Sequence, residues 1–180
     1  MNSGDIDSQP DSLPNDELAT SGHILSGVDG GCFSLVLIGD VRLVWCVALE
    51  RYCESMFMHS DVNRFYVDLC QASNLDSTTL GVLAKLAILC RKKLGIAAEL
   101  CFDHPDIERL VISMGFASVF SIIDRADSPS IEAAALKRLC GTDCTEEEVK
   151  RSVLEAHQVL AGMSDDNYNK FKDLIENLKE

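Results

Sequence analysis

Three consecutive hydroxyl side chains follow an acidic residue near the middle of the sequence. They are Ser77, Thr78 and Thr79, and they come directly after Asp76. A hydroxyl of this kind can accept a phosphoryl group, or it can act as a nucleophile when a histidine base lies beside it. Which chemistry applies depends on the elements that position these residues and on the residues that the fold brings to them.

The hydroxyls lie at the predicted start of a helix. Apolar residues recur at helical spacing from Leu80 to Leu94, which predicts one buried stripe. Asp76 or Ser77 is expected to cap the first turn by accepting hydrogen bonds from free backbone N–H groups. Three consecutive basic residues place positive charge at the other end, where the helix dipole favours it, and a glycine that can end the helix follows them.

Nucleophilic catalysis would require a histidine base, and no histidine has a diagnostic context in the sequence. His23, His59, His104 and His157 are all predicted to lie at the surface or to cap helices. The sequence has neither GxxxxGK[ST] nor GxGxxG, so no phosphate-binding nucleotide loop is visible. We therefore do not expect an enzyme, and we expect no cofactor and no metal ion.

The charge of the chain favours a protein partner over nucleic acid. The 180 residues carry a net charge of −13, and residues 1–22 contain five acidic residues and no basic ones. Nucleic-acid binding depends on neutralising phosphates, so we expect no nucleic-acid partner. No apolar run approaches the roughly 20 residues of a membrane span, which predicts no direct membrane insertion.

The cellular location is expected to be cytoplasmic. The first residues lack the basic and apolar regions of a secretory signal. Most of the eight cysteines lie within predicted apolar elements, as expected for buried thiols in a reducing compartment.

The chain divides into three predicted parts: a disordered acidic tail at 1–22, a domain at 23–125 and a helical extension at 126–180. In the domain, strands are predicted at 23–28, 32–38, 64–69, 96–102 and 118–123, and helices at 44–58, 76–94 and 105–114. Helices alternate with strands after an opening hairpin. This order predicts an α/β fold, a mixed β-sheet with helices packed against it.

The extension is predicted to form helices at 131–139, 145–163 and 166–178. Thr145 and Glu148 have the spacing of a capping box at the start of the second of these. The helices are amphipathic, so each must bury an apolar face. Three destinations remain open for these faces: the domain itself, a second copy in a homodimer, or a partner protein.

The sequence Leu75-Asp76-Ser77-Thr78-Thr79-Leu80-Gly81 resembles the [MIL]-D-S-[ST]-G-L-G signature of STAS domains, the fold of bacterial anti-sigma factor antagonists. The resemblance runs from about residue 23 to 125. Gly39-Asp40 is similar to the Gly-Glu or Gly-Asp that follows the family's second strand. Met114-Gly115-Phe116 is similar to the Ser-Gly-Leu that leads into its last strand.

The resemblance implies a phosphorylation-controlled partner switch. In the family, the serine after the aspartate is phosphorylated by a serine kinase that is often also the anti-sigma factor, and that residue here is Ser77. A PP2C-type phosphatase reverses the modification. Only the unphosphorylated antagonist binds the anti-sigma factor and releases the sigma factor, which makes the protein a regulator of transcription.

The resemblance also implies a partner surface. It would consist of the loop at 72–75 and the first turn of the helix. The residues expected there, in addition to Ser77, are Asp40, Asn74, Asp76, Thr78 and Thr79.

Two residues depart from the family pattern. Thr79 replaces the usual glycine, and Arg42 stands where antagonists often have an acidic residue. Both lie in the region that the family uses to meet its kinase. Two other functions also remain open: a STAS subunit of a membrane lipid or anion transport complex, and a scaffold or sensor module that holds a small ligand.

Overall fold

The computed structural model describes residues 22–58, 61–141 and 143–180. Except for Gly22, the predicted acidic tail lies outside the described residues. So does the beginning of the polar loop predicted at 59–63.

A mixed sheet of six strands, in the order β5-β4-β3-β2-β1-β6, forms the centre of the fold. The strands are β1 (His23–Asp29), β2 (Cys32–Val41), β3 (Arg64–Leu75), β4 (Ala98–Cys101), β5 (Phe120–Ile122) and β6 (Lys137–Arg138). Strands β2 to β5 run parallel, whereas β1 is antiparallel to both of its neighbours. The predicted α/β class with a mixed sheet is confirmed.

Five α-helices accompany the sheet in the described part of the chain. They are α1 (Cys46–Met56), α2 (Ser77–Leu94), α3 (Pro105–Ser113), α4 (Glu146–Ala161) and α5 (Asp165–Lys179). Within the described ranges, no helix combines the length and the apolar character needed to cross a bilayer.

The hydrophobic core lies between the sheet and its helices. Phe33 of β2 and Phe65 of β3 are fully buried, and their rings stack with centroids 5.2 Å apart. Neighbouring parallel strands place such side chains on the same face, where aromatic stacking adds to the burial of apolar area. Helix α2 is buried without interruption from Thr78 to Ala84, so its first two turns are held rigidly against the rest of the molecule.

Strands β2 and β3 are longer than predicted. We predicted that β2 ends at Gly39 and that residues 72–75 form a loop. Instead, β2 and β3 continue as paired strands to Val41 and Leu75. Gly39 adopts φ 73°, and the register shifts beside it. Because glycine tolerates this conformation, the strand bends through a bulge instead of ending. The segment expected to be a partner-binding loop is therefore the end of β3.

The prediction of a helix at 131–139 is wrong. This segment contains a short 3-10 turn at Ala133–Ala135 and then β6, which pairs with the outer edge of β1. The N–H of Leu139 donates to the carbonyl of Ile24 at 2.8 Å, and Leu139 is buried. Pairing with an open strand edge and burial of Leu139 outweigh the high helix propensity of this alanine-rich segment.

Helices α4 and α5 form an antiparallel pair, here called the C-terminal hairpin. The predicted capping box is present, with Thr145 and Glu148 bonding each other's backbone N–H groups. Ala156, Leu160 and Phe171 belong to the same core cluster as the buried face of α2. Of the three destinations left open for the apolar faces, the structure shows packing on the domain; the homodimer stays a prediction.

Candidate functional site

Asp76 caps α2, and it also connects α2 to the segment between β2 and α1. Its backbone is extended, one carboxylate oxygen accepts a 2.7 Å hydrogen bond from the N–H of Thr79, and the other accepts a 2.8 Å bond from the N–H of Leu43. These bonds satisfy one free donor of the first turn and one of the β2–α1 connection. The alternative that Ser77 is the cap is excluded, so its hydroxyl is available for another contact.

The hydroxyl of Ser77 bonds to His157 of the C-terminal hairpin. Ser77 Oγ lies 2.9 Å from His157 Nε2, and His157 Nδ1 lies 2.7 Å from the carbonyl oxygen of Val153. We assign a hydrogen to Nδ1, because a carbonyl only accepts hydrogen bonds, and in that tautomer Nε2 accepts from the serine O–H. His157 is 2% exposed. The prediction that it lies at the surface or caps a helix is wrong.

The surroundings of this pair differ from those of a catalytic serine and histidine. Phe171 covers the imidazole edge to face, with ring centroids 5.2 Å apart. A backbone carbonyl, not a carboxylate, orients the ring. Cavities of about 340 to 470 Å³ are lined by other residues. In this arrangement His157 holds the Ser77 hydroxyl.

Thr78 and Thr79 face the interior. They are 6% and 1% exposed, and Thr79 Oγ1 donates to the carbonyl of Val41 at 3.3 Å. The same hydroxyl lies 3.7 Å from Cys46 Sγ, whose pKa is raised to about 12 by burial. The threonine in the glycine position of the signature thus ties α2 to the end of β2. In this conformation neither threonine is accessible to a partner, contrary to the expectation from the sequence.

Asp40 and Asn74 form an accessible polar cluster with Arg42 beside the start of α2. The guanidinium of Arg42 donates to one oxygen of Asp40 at 2.8 and 2.6 Å, and Asn74 Nδ2 donates to the other at 3.1 Å. The hydrogen bond from Arg42 is the largest cause that lowers the pKa of Asp40; burial opposes it, and the hydrogen bond from Asn74 and the charge of Arg42 lower the pKa further. Asp40 is therefore a carboxylate at neutral pH.

An exposed valine adjoins this cluster. Val44 lies two residues beyond Arg42 in the 3-10 turn at Leu43–Trp45, and it is 75% exposed. Sequence reasoning placed Val44 in a helix and assigned it no contact. The turn that precedes α1 gave no clear periodic signal, so the exposure of this side chain was not predictable from the spacing of apolar residues.

Helix α4 covers one face of α2, the face that begins at Ser77. One turn further along, a Cβ on Gly81 would lie 2.3 Å from the carbonyl oxygen of Ala156, so the two backbones touch there. Lys85, one more turn along, bonds Glu155 at 2.6 Å and Glu50 at 2.7 Å. Burial opposes the charge of Lys85, but the hydrogen bonds to the two carboxylates outweigh this effect and raise its pKa.

Several solved structures are similar to this chain. The chain is similar to the crystal structure of an anti-sigma factor antagonist from Mycobacterium paratuberculosis, at 20% identity and a TM-score of 0.49. The aligned part covers 57% of this chain and 85% of that one. No protein-family model matches the sequence, and no curated protein matches it significantly. Among the described residues, no group of three or more His, Cys, Asp or Glu side chains is placed to hold a metal ion.

Proposed function

We propose that this protein is a STAS-type anti-sigma factor antagonist that acts in a phosphorylation-controlled partner switch. The unphosphorylated form binds an anti-sigma factor that is also a serine kinase, and this binding releases the sigma factor. Phosphorylation of Ser77 blocks the binding, and a PP2C-type phosphatase restores it. The observation that carries the proposal is that Ser77 begins α2 without capping it, because Asp76 caps the helix.

The position of Ser77 suits a phosphate. Phosphorylation adds a charge of about −1.5 to −2 and three acceptor oxygens. At the first residue of an 18-residue helix, free N–H groups and the positive end of the helix dipole stabilise that charge. Because the backbone contacts of Asp76 and Thr79 do not involve the Ser77 hydroxyl, the sheet and α2 are expected to keep their structure after modification.

The same phosphate would disrupt a partner interface. The accessible residues near the start of α2 include Asp40, Asn74 and the apolar side chain of Val44. A partner fitted to these residues and to a neutral hydroxyl would have to desolvate a dianion beside the carboxylate of Asp40. The expected penalty is on the order of several kcal/mol, a loss of affinity of about 10²- to 10³-fold.

The proposal is tested by phosphopeptide mass spectrometry of the protein from its native cells, combined with pull-downs of Ser77→Ala and Ser77→Asp. We expect phosphate on Ser77 and a kinase-like anti-sigma factor that is retained by the alanine form and lost by the aspartate form. Ser121→Asp is the matched control, because it adds the same charge at an exposed position of β5. An unmodified Ser77, with the same partners for both forms, would contradict the proposal and favour the transport-subunit alternative.

A further inference from the structure

The C-terminal hairpin occupies the face of α2 that begins with the proposed phosphorylation site. Ser77, Gly81 and Lys85 are four residues apart, so they lie on one side of the helix. All three contact the same turn of α4. Ser77 contacts His157, Gly81 contacts Ala156, and Lys85 contacts Glu155. The three contacts differ in kind: a hydrogen bond, a backbone-to-backbone approach and an ion pair.

Further contacts hold the hairpin in this position. Asn167 of α5 is fully buried, and its Nδ2 donates to the carbonyls of Met114 and Leu160 at 3.0 Å each. Arg51 of α1 bonds Glu148 near the start of α4. The hairpin is thus attached to α1, α2 and the end of α3, and within it Phe171 of α5 packs against the ring of His157.

A phosphate on Ser77 does not fit into this arrangement. The serine oxygen and the imidazole nitrogen are already at hydrogen-bond distance, 2.9 Å, and the ring is 2% exposed. In phosphoryl transfer, Ser77 Oγ bonds the γ-phosphorus of a nucleoside triphosphate, the nucleoside diphosphate leaves and the hydroxyl proton passes to a base of the kinase. Ser77 itself is partly exposed, but its Oγ is directed at His157, so in this orientation the incoming phosphoryl group would meet the volume that His157 fills.

We propose that the C-terminal hairpin is an intramolecular lock on Ser77. The hairpin must leave α2 before a kinase or a binding partner reaches this serine, and it cannot return while the serine carries a phosphate. The identity of the proteins that act on Ser77 rests on the proposed function, but the lock itself is a property of this chain alone. Release uncovers a strip of α2 consisting of Ser77, Gly81 and Lys85.

The direct test needs no partner protein. The full chain is produced with phosphoserine incorporated at position 77 during translation, and its amide hydrogen exchange is compared with that of the unmodified chain by mass spectrometry. We expect exchange in Glu146–Ala161 and Asp165–Lys179 to rise by about tenfold or more, with β1 to β4 unchanged. Unchanged exchange in these two helices would overturn the proposal.

A second variant opens the lock without altering Ser77. Ala156→Leu adds bulk where α4 meets Gly81, whereas Gln158→Leu adds the same side chain at an exposed position of α4 and is the matched control. We expect faster exchange in the hairpin for Ala156→Leu alone. In native cells, the fraction of Ser77 that is phosphorylated should then rise for Ala156→Leu but not for the control.

The two proposals fail in different ways. Absence of phosphate on Ser77 in every form would contradict the proposed function, while the exchange measurements would still decide whether the lock exists. Faster exchange in Ala156→Leu with no change in a measurable level of Ser77 phosphorylation would show that the hairpin does not control access, and it would overturn the lock alone.

Discussion

Ser77 Oγ and His157 Nε2 lie 2.9 Å apart, although 80 positions separate the two residues in the sequence. This hydrogen bond joins the first residue of α2 to the C-terminal half of α4. Because the imidazole also contacts Phe171 of α5, we expect a change at the serine to affect both helices of the hairpin. The state of one hydroxyl is thereby coupled to the position of the last 35 or so residues of the chain.

Asp76→Ala is expected to destabilise the protein by about 2 kcal/mol, since it leaves the N–H groups of Thr79 and Leu43 without their acceptor. The midpoint of urea unfolding should fall while the slope stays constant. Asp76→Asn retains one acceptor oxygen, so its loss should be smaller. Equal midpoints for the alanine variant and the wild type would show that these two bonds contribute nothing to stability.

Gly81→Ala tests the crossing of α2 and α4. Alanine is a better helix former than glycine by roughly 1 kcal/mol, so the substitution would stabilise an isolated α2. In this fold the added Cβ would lie 2.3 Å from the carbonyl of Ala156, and we expect a net loss of about 1 to 3 kcal/mol in the free energy of unfolding.

The matched control for that substitution is Gly162→Ala, at the end of α4. Gly162 has φ −75°, and a Cβ there would lie 3.5 Å from its nearest neighbours, at ordinary contact distance. The free energy of unfolding of Gly162→Ala should be unchanged or slightly higher than that of the wild type. If both alanine variants gave the same midpoint of urea unfolding, the helices would not be in the close contact described.

Acid should weaken the attachment of α4 to α1. The hydrogen bond from the backbone of Thr145, followed by that from Arg51, lowers the pKa of Glu148 below 4.5. A carboxyl whose pKa is lower in the folded state stabilises the fold above its unfolded pKa, and this contribution disappears as the pH falls through the folded value. The urea-unfolding midpoint of Glu148→Gln should therefore lie below that of the wild type at neutral pH, and the two should converge as the pH falls through the lowered pKa of Glu148.

Glu147→Gln is the control for this pH dependence, because it removes a neighbouring carboxylate that is exposed. The difference from the wild type should be small and should not follow the titration of Glu148. A Glu148→Gln variant that is equally destabilised at every pH would contradict the ion-pair interpretation.

Asn167→Asp is expected to be among the most destabilising substitutions in the hairpin that replace an amide by a carboxyl group. It replaces the amide nitrogen that donates to the carbonyls of Met114 and Leu160 with an oxygen that repels both. The residue is fully buried, so a loss of about 3 kcal/mol or more is expected in thermal or urea unfolding. Asn169→Asp makes the same exchange at an exposed position of α5 and should have little effect.

Much of the fold was predictable because its signals are local. The alternation of strands and helices, the start of α2 at Asp76 and the capping box at Thr145 each depend on residues close together in the sequence. The end of β2 was not predictable in the same way, since a glycine such as Gly39 marks a turn as readily as a bulge. The strand at Lys137–Arg138 depends on the unpaired edge of β1, which is a tertiary feature.

The candidate site was predictable only in part. The motif identified Asp76 and Ser77, but the partner of the serine lies in a helix that the motif does not include. One signal was present: His157 is four residues after Val153 and three before Leu160, so it shares their side of α4. The pattern of apolar residues predicted that this side is buried, and a histidine on it required a polar partner inside the fold.

The hairpin follows α2 in the sequence, and this gives the lock an order in time. The ribosome completes Ser77 80 residues before it reaches His157, an interval of about 4 to 16 seconds at ordinary rates of synthesis. During that interval the nascent protein has α2 but no helix to cover it. A kinase or anti-sigma factor present at the ribosome would meet an open serine, whereas one that arrives later would meet a closed molecule.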